Sequence, residues 1–301
     1  MSISRPGAAD FKKKIKSQGL KIKIGPIVVN IRSSIAAVQF GILSLYSDYP
    51  LEKDPGFADF HIRIIKPPNH RHWIHPQVLF FLDNHQPFKP LPLSQAYPFF
   101  EWGLNWCISQ HIHTYLIIHA AVIEKNGRAA IMPSPPEAGK STLCAGLVTR
   151  GWRLLSDELT LISPETGCVT PLPRPISLKN DSIEILQRFA PQATFGPLCR
   201  DTTKGSVAHV KPPLDSVARA DETAEPAWVI VPKYQPKAPA SLKPRSKGQT
   251  MMFVVENSFN YSTLGKTGFE TAAGLIDKSR CYDFQYSDLN EAVQVFDSLA
   301  K

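Results

Sequence analysis

The stretch that most constrains this chain is residues 131–142, which read IMPSPPEAGKST. Gly139, Lys140 and Ser141 stand at the spacing of the second half of the pattern G-x-x-x-x-G-K-[ST], with Ser134 in the place of the first glycine. The segment AAIMP before it reads as a short strand and STLCAGLV after it as a helix. A strand–loop–helix of this kind can turn successive backbone N–H groups and a helix N-terminus onto phosphate oxygens. In that reading Gly139 leaves room for phosphates, Lys140 reaches the β- and γ-phosphates, and the Ser141 hydroxyl binds Mg²⁺. Pro135 and Pro136 fix the backbone and remove two N–H donors from the loop. A plain strand–turn–helix is the alternative.

A second constraint follows in RGWRLLSDELTLI, residues 150–162, where Asp157 and Glu158 interrupt two apolar strand-like segments. Adjacent carboxylates in apolar surroundings are costly unless they meet a metal or a partner. Phosphoryl transfer uses one carboxylate for Mg²⁺ and often a second to orient or deprotonate the acceptor hydroxyl. Two turn acids are the plainer alternative.

The surrounding pattern is that of an α/β chain. LKIKIGPIVVNI (20–31) starts with the alternation of a half-buried strand, and FADFHIRII (57–65) and QVLFFLD (77–83) also read as strands. In residues 94–112, Phe99, Trp102 and Trp106 recur at helical spacing, which predicts a helix with an aromatic core stripe. Residues 1–112 are therefore expected to form a β-rich domain closed by an amphipathic helix, and 113–301 a second domain. In the latter, strands are expected at 115–124, 128–133 and 227–232, a helix at 182–189, then a long loop to Pro213. The end predicts a helix over FETAAGLIDKS, a strand over CYDFQY and a last helix capped by Ser287.

Of the 301 residues, 43% are hydrophobic and 20% charged, enough to bury a sizeable core. The net charge of +8 is concentrated partly in Lys12, Lys13, Lys14 and Lys16, and partly between Lys233 and Lys247. These runs read as solvated tails and loops, not as a nucleic-acid surface. Five cysteines without a C-x-x-C pair suggest neither a disulfide framework nor a zinc site. With no signal-like segment and no run long enough to span a bilayer, the expectation is a soluble, cytoplasmic chain with no membrane role. The histidines of HRHWIH (His70, His72, His75) have metal-like spacing but sit in a Pro-flanked loop without a carboxylate.

HAAVIEKNGRAAIMPSPPEAGKSTL followed by RGWRLLSDE resembles the HPr kinase/phosphorylase family, with its His-bearing strand, P-loop and paired acids. Within it, the chain is most similar to the subfamily called HPr-kinase-related kinase A, as EWGLNW (101–106), PLPRPISLKN (171–180), KGSVAH (204–209), FNY (259–261) and YSDLNEAV (286–293) also suggest. The resemblance implies a P-loop kinase core like that of HPr kinase and phosphoenolpyruvate carboxykinase. It implies ATP and Mg²⁺ as cofactors and transfer of phosphate to a serine-type hydroxyl. Carried over residue by residue, Ser134, Glu137, Ala138, Gly139, Lys140, Ser141 and Thr142 bind nucleotide. Asp157 matches the general base and Glu158, with Ser141, a metal ligand; the parent family has Asp at the position of Glu158. His119 matches the histidine of the strand before the loop, and a core histidine is the alternative. Related sequences usually carry glycine where Ser134 and Glu137 stand.

Arg174, Lys179 and Asn180 form a polar, basic run, and Lys204 follows a Thr pair in a second loop. Each is a candidate contact to phosphate or acceptor, with solvated loop charge as the alternative. The subfamily's association with peptide-modification gene clusters implies a peptide or protein acceptor. A small-molecule kinase with an N-terminal acceptor pocket, and a non-catalytic nucleotide-responsive module, are the rivals. Homo-oligomer formation is left open.

Overall fold

The computed structural model describes residues 8–52, 56–68, 75–135 and 138–301. The alternating run at 20–31 folds as a hairpin, not as one strand. Gly25 adopts φ +53°, which lets the chain reverse between β1 (Leu20–Ile24) and β2 (Ile27–Ser33). The lysine-rich start is not a solvated tail: α1 (Ala8–Ser17) buries Phe11 and Ile15, four residues apart on one face, and leaves Lys12, Lys13 and Lys16 exposed. Helix α2 (Ala36–Leu45) crosses from β2 to β3 (Phe60–Ile65), which pair in parallel. Strands β4 (Gln77–Leu82) and β5 (Leu91–Pro92) add antiparallel, giving the sheet order β1-β2-β3-β4-β5.

Helix α3 (Ala96–His111) lies on this sheet and buries Phe99, Phe100 and Leu104 in a core that includes Phe80, whose ring meets that of Phe99. The expected aromatic stripe is only partly core, since Trp102 is 49% exposed. His70 and His72 fall outside the described residues, His75 is exposed, and no metal-holding group of His, Cys, Asp or Glu occurs among the described residues.

The second sheet begins with the antiparallel pair β6 (Leu116–Lys125) and β7 (Arg128–Pro133). Helix α4 (Lys140–Val148) follows, then β8 (Arg153–Ser156) and β9 (Leu159–Ile162), which both pair with β6 and leave Asp157 and Glu158 in the turn between them. Short β10 (Val169–Thr170) ends this edge. A third sheet is built from β11 (Ile176–Lys179), β12 (Cys199–Thr202) and β13 (Gly205–Val210), in the order β11-β13-β12, with α5 (Asp181–Phe189) after β11. The expected long loop to Pro213 therefore contains a hairpin.

After α6 (Leu214–Ala218), the apolar strand β14 (Glu225–Tyr234) enters the second sheet. Then come β15 (Ser241–Pro244), α7 (Lys247–Glu256), α8 (Tyr261–Leu264), α9 (Lys266–Lys278), β16 (Arg280–Tyr286) and α10 (Leu289–Leu299). The sheet order is β10-β9-β6-β7-β14-β16-β15, with β8 beside β6. β14 is parallel to both neighbours, and a central parallel strand is covered on both faces, which explains its continuous apolar run. Asp288, not Ser287, caps α10, accepting from the Asn290 and Glu291 amides at 2.7 and 3.0 Å, a contact worth about 1 kcal/mol. Ser287 donates instead to the Ala238 carbonyl.

The second basic run is likewise structured, with Arg245 pairing Asp283 at 2.8 Å. All five cysteines are free. Among the described residues no helix is long and apolar enough to cross a membrane. The fold is mixed α/β.

Candidate functional site

Ser134 follows β7 with its hydroxyl buried and without a hydrogen-bond partner. Pro136 and Glu137 lie outside the described residues. The chain returns at Ala138, whose carbonyl accepts from the Tyr234 amide at 3.0 Å. Gly139 then holds φ +87° as the residue capping α4. A Cβ there would stand 2.6 Å from the Tyr286 hydroxyl and 2.9 Å from the Tyr234 Cβ, so both backbone and packing call for glycine. The Tyr286 hydroxyl donates to the Gly139 carbonyl at 2.8 Å and fixes the turn.

Lys140 opens α4 almost wholly buried, and its ammonium has no hydrogen-bond acceptor. Burial lowers its pKa, while Asp157 and Glu158 act to raise it. Ser141 and Thr142 are half-buried and border a large cavity.

Asp157 is buried in the β8–β9 turn, where Oδ2 accepts from the Ser177 amide at 3.1 Å and Oδ1 makes no hydrogen bond of ordinary geometry, although the nearby Ser141 hydroxyl also favours the charged form. Its carboxyl is pushed up to about 6, chiefly by burial and also by Glu158, against the opposing pull of Lys140. Glu158 behaves differently. Burial opposes its charge, yet Lys140, Lys179, Arg174 and His119 together hold its pKa below the ordinary value. The two adjacent acids are thereby split, one raised to about 6 and the other held below its ordinary value.

His119 is half-buried on β6, with its ring edge on Phe259 at 5.9 Å. Burial, with Lys140 second, lowers its pKa to about 4 and keeps it neutral at pH 7.

The basic candidates separate by what they touch. Arg174 is no open clamp. One terminal nitrogen bonds the Glu101 carbonyl at 2.9 Å and its carboxylate at 2.5 Å, and the other bonds Asn105. Asn105 in turn donates to Glu158, and Tyr46 and Tyr97 donate to Glu101. Arg174 thus orients Glu158 through Asn105.

Asn180 is also committed to structure, at φ +50°. Its amide accepts from Ser206 at 3.0 Å and donates to the Lys204 carbonyl, tying β11 to the β12–β13 turn. Lys179 and Lys204 form no ion pair with a described residue.

Two cavities meet here. The larger, of about 890 Å³, is bordered by Gly139, Ser141, Thr142, Tyr234 and Tyr286. The smaller, of about 460 Å³, is bordered by Asp157, Glu158 and Trp102. Ser177, Lys179 and Lys204 border both. Sequence reasoning missed Glu101, Asn105 and the site-facing Trp102, although all three stand in EWGLNW; it also missed His209, the last residue of KGSVAH.

No known protein family matches this chain, and no curated protein matches it. Among solved structures 27 chains match. One is the HPr(Ser) kinase/phosphatase from Coxiella burnetii, 11% identical over 61% of this chain and 96% of that one, with a TM-score of 0.25. The likeness is distant and bears on neither reaction nor substrate.

Proposed function

We propose that this protein is an ATP- and Mg²⁺-dependent kinase that transfers the γ-phosphoryl group to a hydroxyl of a peptide or protein. The observation that carries this reading is the buried, unpartnered ammonium of Lys140, flanked in sequence by residues that border the larger cavity. A buried charge without a partner is costly, and a polyphosphate is the partner that this loop-to-helix geometry suits. The sequence resemblance of residues 119–180 to the HPr kinase/phosphorylase family supports the same assignment.

The donor set fits Mg²⁺. Ser141 offers a hydroxyl and Glu158 an ionised carboxylate, both hard ligands. Mg²⁺ commonly takes one or two carboxylates and completes its shell with water and phosphates. When bound, the ion would neutralise charge on the β- and γ-phosphates. The protein's own part is positional. Amides at the start of α4 and Lys140 hold the phosphates, Asn105 orients Glu158, and Lys179 and Lys204 stand between the two cavities. Asp157 Oδ1 takes the proton of the attacking hydroxyl as its oxygen bonds the γ-phosphorus and the bond to ADP breaks. A pKa of about 6 suits that task at neutral pH.

Calorimetry with Mg-ATP tests the reading. Wild type should bind, and Lys140→Ala should bind at least about tenfold more weakly, the equivalent of one charge-assisted contact. Unchanged affinity would remove the nucleotide site from this loop. Labelled ATP offered with size-fractionated lysate then shows which acceptors take up phosphate. A small-molecule acceptor is the second reading, favoured by the modest 460 Å³ of the cavity beside Asp157.

A further inference from the structure

The cavity beside the paired acids presents a mainly apolar surface. Its walls include Leu91, Pro98, Phe99, Leu172 and Val207, the last three almost wholly buried. Trp102 lines it while 49% exposed, its ring stacked against Phe99 at 6.0 Å and packed beside Phe88 at 4.7 Å. Polar residues also line it, but Glu101, Asn105 and Arg174 are bonded to one another, and the surface left open is mainly apolar. Asp157 Oδ1 and His209 Nδ1 are both buried without a partner, and Lys179 and Lys204 border the larger cavity too. Apolar walls with a few convergent polar groups are how binding pockets fix both body and orientation.

We propose that this cavity is the acceptor subsite and that it takes a hydroxyl carried on an apolar body of aromatic size, the body on Trp102 and the hydroxyl at Asp157. The assignment rests on the kinase reading above. A polyol or sugar entering the same space would lose water from its hydroxyls against Phe99, Leu172 and Val207, which offer no hydrogen bonds in return. An aromatic or branched aliphatic group covers the exposed indole face instead and gains contact area from it. The required chemistry is the same whether that body belongs to a free alcohol or to a residue beside a serine in a peptide.

The test uses the full chain without nucleotide first. 3-Phenylpropan-1-ol and glycerol are titrated against wild type, Trp102→Ala and Leu91→Asp, with thermal melting to confirm that each variant folds. The aromatic alcohol should saturate and glycerol should not, and each variant should weaken the aromatic alcohol by at least about fivefold. Equal behaviour of the two alcohols, or affinity unmoved in both variants, overturns the proposal. Mg-ATP affinity is measured on the same samples. Its absence in wild type overturns the kinase reading and the word acceptor with it, whereas Mg-ATP binding without selective alcohol binding overturns only this subsite.

With Mg-ATP present, a serine flanked by phenylalanine should then be phosphorylated with a lower KM than one flanked by glycine if the source is a peptide. Turnover of the free aromatic alcohol alone identifies a small-molecule source. Turnover of neither overturns the subsite.

Discussion

Lys140 and Asp157 lie buried within each other's electrostatic influence, yet the ammonium donates to no acceptor and Asp157 keeps one oxygen unmatched. Two buried groups with unmet hydrogen-bonding capacity lower the stability of the ligand-free protein, because an unsatisfied buried polar group costs about 1–3 kcal/mol. Lys140→Met keeps the volume and removes the charge. The variant is expected to stay folded, since Lys179, Arg174 and His119 still face Glu158, and to lose Mg-ATP binding. A destabilised variant that retains nucleotide affinity would mean that Lys140 serves the fold instead.

Gly139→Ala asks whether the turn itself matters. The new methyl meets Tyr286 and Tyr234 at under 3 Å and is forced to φ +87°. The expected cost is about 1–3 kcal/mol of stability, with loss of Mg-ATP affinity as the loop shifts. Denaturant unfolding together with calorimetry measures both effects. A variant matching wild type in both would contradict the geometry described for this loop.

Arg174 separates a positioning role from a phosphate clamp. Breaking its buried pair with Glu101 by Arg174→Ala is expected to cost about 3–5 kcal/mol. Asn105→Ala, which strips the donor from Glu158 and one acceptor from Arg174 but keeps the Arg174–Glu101 pair, should cost less stability but raise the Mg²⁺ concentration needed for half-maximal activity. Were Arg174 a clamp, its alanine variant would keep its melting temperature and lose ATP affinity.

The pH dependence of transfer assigns the base. Asp157 must be deprotonated to accept the hydroxyl proton, so kcat/KM should rise with pH through about 6 and level off above it. A limb centred near 4 would match an ordinary carboxylate and contradict the buried site. His119, lowered to about 4, should show its ring titration near that pH by proton NMR and add no midpoint near 6.5.

What the sequence revealed depended on how local the signal was. The strands around Asn126–Gly127, the helix after Gly139 and the acids of the β8–β9 turn are all local, and each could be read from residue order. Helix α2 could not: AAVQFGILSL is apolar on nearly every side, so its 3.6-residue period is hidden. In α1 the lysines masked Phe11 and Ile15, although their spacing of four was the available clue.

In sequence the β12–β13 hairpin looks like loop, because Asp201, Thr203 and Lys204 are solvent-facing residue types. The roles of Arg174 and Asn105 are set by partners more than 50 residues away, which no local pattern encodes. Trp102 shared its helical spacing with core aromatics, and only the meeting of α3 with the third sheet turns it toward a cavity.

The central claim is that phosphate passes between the two cavities, from ATP at the start of α4 to a hydroxyl beside Asp157. Phosphorus NMR of the protein with Mg-ATP and the acceptor fraction follows this directly. Wild type should convert the γ-phosphate signal into that of a phosphate ester at the rate ADP appears. Asp157→Asn should bind Mg-ATP and form no ester, because its amide cannot accept the hydroxyl proton. Ester formation at the wild-type rate in Asp157→Asn, or a wild type that binds no Mg-ATP, would contradict the account.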